Sequence, residues 1–199
     1  MADIVVSVHC RRLGLDKDGN LVIAGTGLVF GHDTGADTKI AASDLGSIQA
    51  SSREVAAGAT LSLTQAAHDG KTIALDTAAG SVVTLPAATG SGAKFKFYVK
   101  TLATSNSHVI QVANATDFFV GLVSGARIDS GNAVLGFAAA NSGTVATNSD
   151  TITLNRTTTG SVSKGEWIEV EDVLAATWAV KGFLSATGAA FATPFSAAV

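Results

Sequence analysis

The stretch LPAATGSGAKFKFYVK, residues 85–100, places two glycines and a lysine in a short loop, as the phosphate-binding loops of nucleotide enzymes do. A Walker-type loop needs a glycine, four residues and then Gly-Lys-Ser/Thr, between a strand and a helix. Here one residue separates the glycines, an alanine precedes Lys94, a phenylalanine replaces the hydroxyl residue, and a strand pattern follows. The spacing therefore predicts a hairpin turn over residues 89–92, with Pro86 ending the strand before it.

A second candidate site is DKDGN, residues 16–20, which is similar to the start of a calcium-binding loop. That loop needs glycine at its sixth position and a carboxylate at its twelfth, whereas this stretch has Gly19 fourth and Gly27 twelfth. A β-turn is the better prediction, and incidental cation binding by the two aspartates and the asparagine stays open. The histidines are scattered without metal-ligand spacing, so we expect no metal site and no cofactor.

Carboxylates cluster in the segment GEWIEVED, where Glu166, Glu169, Glu171 and Asp172 lie close together in sequence. Paired carboxylates can hydrolyse glycosidic bonds. On a strand Glu169 and Glu171 share a face with Trp167, which suits sugar stacking but is more often a solvated strand. No GxSxG motif occurs, and nothing pairs a serine with a histidine. We therefore expect a protein that is not an enzyme and has no catalytic residue.

Charge and cysteine content narrow the range of partners. The net charge is −3, the pI is about 5.7, and the only adjacent basic pair is Arg11 and Arg12, which disfavours nucleic-acid binding. We expect this arginine pair to be solvated or to contact another subunit. The single cysteine excludes an internal disulfide and a cysteine-rich zinc site. No apolar run reaches the ~18 residues of a membrane span, so we expect a soluble product of the cytoplasm without membrane contact.

The elements that must position these groups are predicted to be strands. Short runs rich in Val, Ile, Thr and Phe recur between Gly, Asn, Asp and Ser, with almost no helical periodicity. In KFKFYVK the apolar Phe95, Phe97 and Val99 alternate with lysines and a tyrosine, the pattern of a strand buried on one face. We predict an all-β fold, an antiparallel β-sandwich or a barrel-like, jelly-roll-like domain with hairpin connections.

Domain organisation follows from a change in composition near residues 41–59, which are small, polar and poor in large apolar side chains. We predict an N-terminal β arm or small β unit with a linker over residues 1–53, and the main β domain over residues 54–199. The tail GAAFATPFSAAV carries Phe191 and Phe195 without strand periodicity. We expect both rings to pack against the domain or to contact a partner subunit.

Several quoted segments occur in the order of a known family. GKTIALDTAAGSVVTLPAATGSGAKFKFYVKT is followed by SHVIQVANATDFFVG and then by GEWIEVEDVLAATWAVKGFLSATG. This series resembles a β module of tailed-bacteriophage virion proteins: a TLPAATGSG turn before an amphipathic strand, an IQVAN strand, and a Trp-containing strand near the C-terminus. The resemblance covers roughly residues 58–190 and does not include the first 50 residues.

The resemblance implies a capsid decoration, or cement, protein that is assembled as a homotrimer. Its partners would be the major capsid protein and itself, its location the outer surface of the virion head, and the N-terminal region would make much of the capsid contact. The alternative is a head-fibre or tail-fibre protein that adheres to host glycans, with Trp167 or Trp178 holding the sugar. A third and less favoured hypothesis is a depolymerase that uses the acids of residues 166–172.

Overall fold

A computed structural model describes residues 12–15, 21–24, 27–30, 38–41, 53–129, 133–187 and 191–199. The chain divides into two units, Met1–Ser52 and Arg53–Val199. In the first unit, β1 (Arg12–Leu15) pairs antiparallel with β2 (Leu21–Ala24), and β3 (Gly27–Phe30) pairs antiparallel with β4 (Thr38–Ala41). Arg11 and all of DKDGN lie outside the described residues. The function of residues 1–53 as a capsid-contacting arm stays a prediction.

The second unit is built from two packed sheets. Its strands are β5 (Glu54–Ala56), β6 (Thr60–Ser62), β7 (Thr72–Leu75), β8 (Val82–Thr84), β9 (Lys94–Val99), β10 (His108–Gln111), β11 (Phe118–Arg127), β12 (Val134–Ala138), β13 (Thr151–Leu154), β14 (Trp167–Leu174), β15 (Thr177–Ala186) and β16 (Phe195–Ser196). Among the described residues, helical structure is limited to α1 (Gln65–His68) and a 3-10 turn at Val145–Thr147. The prediction of a mostly β chain with packed sheets is confirmed.

Strand order shows how the chain fills these sheets. One sheet has seven strands in the order β12-β11-β15-β14-β9-β7-β5, and the other has five in the order β16-β13-β10-β8-β6. From β5 to β10 the chain alternates between the two sheets, and each returning strand pairs in parallel with the strand that preceded it in that sheet. Over this part, the chain therefore winds as a short coil in which each turn adds one parallel strand to each sheet.

The prediction of an antiparallel sandwich is therefore wrong in its strand directions, because both sheets are mixed. The long strand β11 also pairs in parallel with β15, whereas β14 is antiparallel to both of its neighbours, β9 and β15. Period-two alternation reports which side of a strand is buried, but it carries no information about the direction of the neighbouring strand.

The hairpin predicted for residues 89–92 is also wrong. Strand β8 ends at Thr84 in the five-stranded sheet, and β9 begins at Lys94 in the seven-stranded sheet. The residues between them cross from one sheet to the other, and Pro86 lies in this crossing beyond the end of β8. The chain does change direction at the glycines, as the sequence predicts. The strand that follows, however, joins the other sheet and does not pair with β8.

The core lies between the two sheets and contains the residues that the alternating pattern identified. Phe95, Phe97 and Val99 are fully buried along β9, as KFKFYVK predicts. Trp178 of β15 is also fully buried, with its ring centroid 5.8 Å from that of Phe95. Truncation of a buried aromatic residue typically costs about 3–5 kcal/mol, so these rings account for a large part of the stability.

The C-terminal tail closes one end of this core. The ring of Phe191 stacks on that of Phe137 at a centroid distance of 5.1 Å, and Phe195 begins β16. Both tail residues are buried, with 7% and 8% of their surface exposed. The ring of Phe191 lies directly against Gly125 of β11, where an added Cβ would be 2.1 Å from a ring carbon. Glycine at this position makes room for the tail.

The Gly125→Ala variant is expected to displace the Phe191 ring and lower the free energy of unfolding by about 1–3 kcal/mol, the usual cost of overpacking. Denaturant unfolding measures this change. Gly136→Ala on the neighbouring strand is the matched control, because no atom lies within 4 Å of its added Cβ. Equal stability of the two variants would contradict the packing of the tail described here.

Candidate functional site

The loop between β8 and β9 does bind an anion, and that anion is the chain's own Asp172. One carboxylate oxygen of Asp172 accepts the backbone N–H of Gly90 at 2.7 Å, and the other accepts those of Thr89 and Ser91 at 3.0 Å. The hydroxyls of Ser91 and Thr89 donate to the same carboxylate at 2.7 and 3.1 Å. Successive backbone N–H groups directed at one point form an anion-binding nest. The anion site of this loop is therefore occupied by a side chain of the same protein.

Backbone bonds connect this loop to β14 on both sides of the nest. The N–H of Gly92 donates to the carbonyl of Asp172, and the N–H of Asp172 donates to the carbonyl of Ala93, each at 2.9 Å. Gly90 has a φ of +78°, a conformation that side chains rarely adopt, and an added Cβ would lie 3.3 Å from the Cα of Leu174. The glycine is needed for the nest geometry.

The protonation of Asp172 reflects two opposing effects. Burial raises the pKa of its carboxyl, but hydrogen bonds from the Ser91 hydroxyl and from the N–H groups of Ser91, Thr89 and Gly90 outweigh burial, so the pKa falls from 3.8 to about 2. The side chain is 2% exposed and stays ionised at neutral pH. A carboxylate held this firmly is a structural anion.

Glu166, which directly precedes β14, has the same arrangement with a different loop. Its buried carboxylate accepts the N–H groups of Ser161, Val162 and Ser163 at 2.8, 2.7 and 2.5 Å, and also the hydroxyl of Ser185. Residues 161–163 lie in the connection from β13 to β14, whereas Ser185 lies in β15. Two acids of the predicted cluster thus stabilise loops inside the fold.

The other two acids of the cluster lie on the opposite side of the sheet. Glu169 pairs with Lys181 at 2.8 Å, and Glu171 pairs with Lys94 at 3.2 Å. Within β14 the burial pattern alternates, so that Glu169 and Glu171 share their face with Trp167, as predicted. The structure does not bring the four acids of residues 166–172 together in one cleft: Glu166 and Asp172 are buried, whereas Glu169 and Glu171 share the opposite face.

His108 is the most deeply buried titratable base among the described residues. Its Nδ1 accepts the N–H of Ser81 at 3.1 Å, and its Nε2 lies 2.9 Å from the carbonyl of Thr101, so Nε2 carries the proton. Burial lowers the pKa of the imidazole, which is therefore neutral at pH 7. Both ring nitrogens are used to join loops, and neither is directed at a ligand.

In the part of the chain that the structure describes, no three His, Cys, Asp or Glu side chains converge on one point, as a metal site would require. In the same residues, no helix combines the length and apolar character needed to cross a bilayer.

The strongest candidate for ligand contact is what we call the outer face, on the solvent side of the seven-stranded sheet. Strand pairing places Trp167 of β14 opposite Tyr98 of β9 on one side and Phe183 of β15 on the other. The outer face comprises this aromatic row, a second row of Lys96, Glu169 and Lys181, and a third row of Lys94, Glu171 and Ala179.

Exposure and electrostatics of the outer face differ along its rows. Phe183 is 41% exposed, whereas Trp167 and Tyr98 are half-buried. The ammonium of Lys96 lies 5.4 Å from the centroid of the Trp167 ring, a cation–π contact. The hydroxyl of Tyr98 donates to Glu54 at 2.6 Å, a hydrogen bond that raises the pKa of the phenol. The face thus combines aromatic rings with fixed charges.

The solvent side of the five-stranded sheet is chemically different, and we call it the uncharged face. Val82 lies opposite Thr60 and Val109, and Val109 lies opposite Thr153. In the next row Gln111 donates from its amide to the hydroxyl of Thr84 at 3.4 Å. The uncharged face consists of Thr60, Ser62, Val82, Thr84, Val109, Gln111 and Thr153, none of which is ionisable.

The residues predicted to contact partners are dispersed. Arg12 lies in β1, whereas Phe191 and Phe195 are buried in their own chain, which leaves little of either ring accessible. Their role in partner binding stays a prediction. Trp178 has no exposed surface, so the suggestion that it holds a glycan is wrong, and Trp167 remains the candidate.

Sequence reasoning missed Tyr98, Phe183 and Lys96 as members of one surface. Alternation within KFKFYVK and TWAVKGFL places each side chain on an outward face, but only strand order brings the three to Trp167.

Comparison with family models, with curated proteins and with solved structures finds no match for this chain.

The nest around Asp172 predicts a specific pH dependence. Because its folded pKa of about 2 lies below the unfolded value of ~3.9, ionised Asp172 stabilises the fold by about 2 kcal/mol near neutral pH. This stabilisation is lost as the pH falls toward 2. The difference in unfolding free energy between wild type and Asp172→Asn should therefore shrink by about 2 kcal/mol between pH 6 and pH 2.

Denaturant unfolding at several pH values measures this difference. Glu171→Gln is the control, because its exposed pair with Lys94 contributes only about 0–1 kcal/mol. A gap between wild type and Asp172→Asn that stays constant with pH would show that the Asp172 carboxylate does not hold the loop.

Proposed function

We propose that this chain is a structural virion protein of the decoration class, which binds the outside of a phage head as a homotrimer and stabilises it. The family resemblance over residues 58–190 supports the virion assignment. The interior acids support it too, because Asp172 and Glu166 are used to stiffen loops. A rigid β scaffold is what a reinforcing protein needs.

The observation that carries the proposal is the uncharged face. Burying ionised side chains at a subunit contact is costly, whereas valine and hydroxyl side chains can be covered at little cost when their hydrogen bonds are kept. Val82, at the centre of this face, is 37% exposed. We place the contact between copies here and assign the capsid contact to residues 1–53.

Trimerisation would also raise the overall affinity for the capsid above the affinity of a single copy. Three linked copies that bind at a threefold position convert the second and third contacts into intramolecular events. Closed threefold symmetry makes the three contacts identical. Stabilisation of the capsid then depends on the trimer and not on one strong site.

Imaging of purified virions tests the proposed function. We expect density for this chain at threefold positions on the capsid surface, in contact with the major capsid protein. Density at the tail alone would remove the decoration role and favour the alternative, a fibre protein that adheres to host glycans.

The Val82→Lys variant is expected to convert a trimer into monomers, because it places three ammonium groups in the subunit contact. Mass measurement by light scattering should fall from three times to one times the 19.9 kDa of the chain. Val173→Lys, at a valine 45% exposed in β14, is the matched control and should leave the mass unchanged. Trimers of Val82→Lys as stable as those of wild type would place the contact elsewhere.

A further inference from the structure

We propose that the aromatic row and Lys96 of the outer face bind an acidic oligosaccharide, with a pyranose ring on the row and the sugar carboxylate on Lys96. This inference goes beyond capsid decoration and does not depend on it, because it concerns the opposite side of the fold from the uncharged face. The proposed ligand is a glycan that contains a uronic acid.

The aromatic row supplies the stacking surface. Tyr98, Trp167 and Phe183 are direct cross-strand neighbours, and adjacent strands lie about 4.8 Å apart, so the row extends for about 10 Å across three strands. The face of an aromatic ring carries negative potential, which attracts the C–H groups on one side of a sugar ring. A row of rings can therefore bind consecutive sugars of one chain.

The charges of the outer face point to an acidic sugar. Its three lysines face two glutamates, and the ion pairs Lys181–Glu169 and Lys94–Glu171 use both carboxylates. Lys96 lies opposite Glu169 in the sheet, yet among the described residues no carboxylate forms an ion pair with it. Its ammonium lies over Trp167 instead. A ligand carboxylate beside the tryptophan would supply the missing countercharge.

A shallow depression in the second and third rows of the outer face offers acceptors for sugar hydroxyls. It has a volume of about 70 Å³ and is bounded on the solvent side by Glu169, Glu171, Ala179 and Lys181. The small side chain of Ala179 leaves the space, and the carboxylates of Glu169 and Glu171 on the neighbouring strand can accept hydrogen bonds from hydroxyl groups.

The experiment titrates the full chain with tetragalacturonate and, in parallel, with the neutral cellotetraose, followed by calorimetry and by NMR shifts of the outer-face amides. We expect wild type to bind tetragalacturonate at least about tenfold more tightly than cellotetraose, since charged hydrogen bonds are the stronger ones. Trp167→Ala should weaken both sugars about tenfold or more. Lys96→Gln should weaken tetragalacturonate about tenfold and leave cellotetraose unchanged.

Lys94→Gln is the matched control, because it removes a lysine of the same strand and face that already pairs with Glu171. Its affinity for tetragalacturonate should stay within about twofold of wild type. The unfolding midpoint of each variant shows that the fold is intact.

Three outcomes would overturn the proposal: no binding of tetragalacturonate by wild type, an equal loss in Lys94→Gln and Lys96→Gln, or outer-face shifts that depend on protein concentration without sugar. The last would identify a second copy as the occupant. None of these outcomes bears on the position of the chain in virions, so failure here and failure of the decoration role are distinguishable.

Discussion

The carboxylate of Asp172 in the loop between β8 and β9 is the interaction on which the rest of the architecture depends. It fixes the point at which the chain crosses from the five-stranded to the seven-stranded sheet. The backbone bonds of Gly92 and Ala93 to Asp172 lead directly into the pairing of β9 with β14. That pairing sets the register that brings Lys96 and Tyr98 to the glutamates and tryptophan of the outer face. The buried carboxylate of Asp172 thus determines the geometry of the outer face.

Internal carboxylates fit the unusual composition of this chain. Only 15% of its residues are charged, and small side chains dominate, so long loops cannot be held by large apolar contacts. Instead, Asp172 and Glu166 each accept several backbone N–H groups, and Asp150 accepts those of Ala198 and Val199 at the C-terminus. Hydrogen bonds to charged groups contribute about 1.5–3 kcal/mol each, more than neutral ones. Few charges therefore stabilise many loop residues.

Local features of this fold could be predicted from the sequence, and long-range ones could not. Alternation in KFKFYVK correctly identified the buried side of β9, because burial of one face depends on a strand's own residues. Strand direction was predicted wrongly, because it depends on which sheet the chain enters next. The partner of the glycine loop was missed because Asp172 lies 82 residues from Gly90 and in an acid-rich segment typical of solvated strands. Likewise, Trp167 and Glu169 could be placed on one face, whereas Phe183 joins them only through strand pairing.

The most direct test of this account is chemical rescue of the empty nest. In Asp172→Gly the N–H groups of residues 89–91 lose their anion, and the open loop can admit a small carboxylate in its place. The account predicts that sodium formate raises the unfolding midpoint of Asp172→Gly well above its value in sodium chloride at equal ionic strength, and that wild type shows no such difference. An identical response of variant and wild type to the two salts would contradict the claim that the loop is held by an anion.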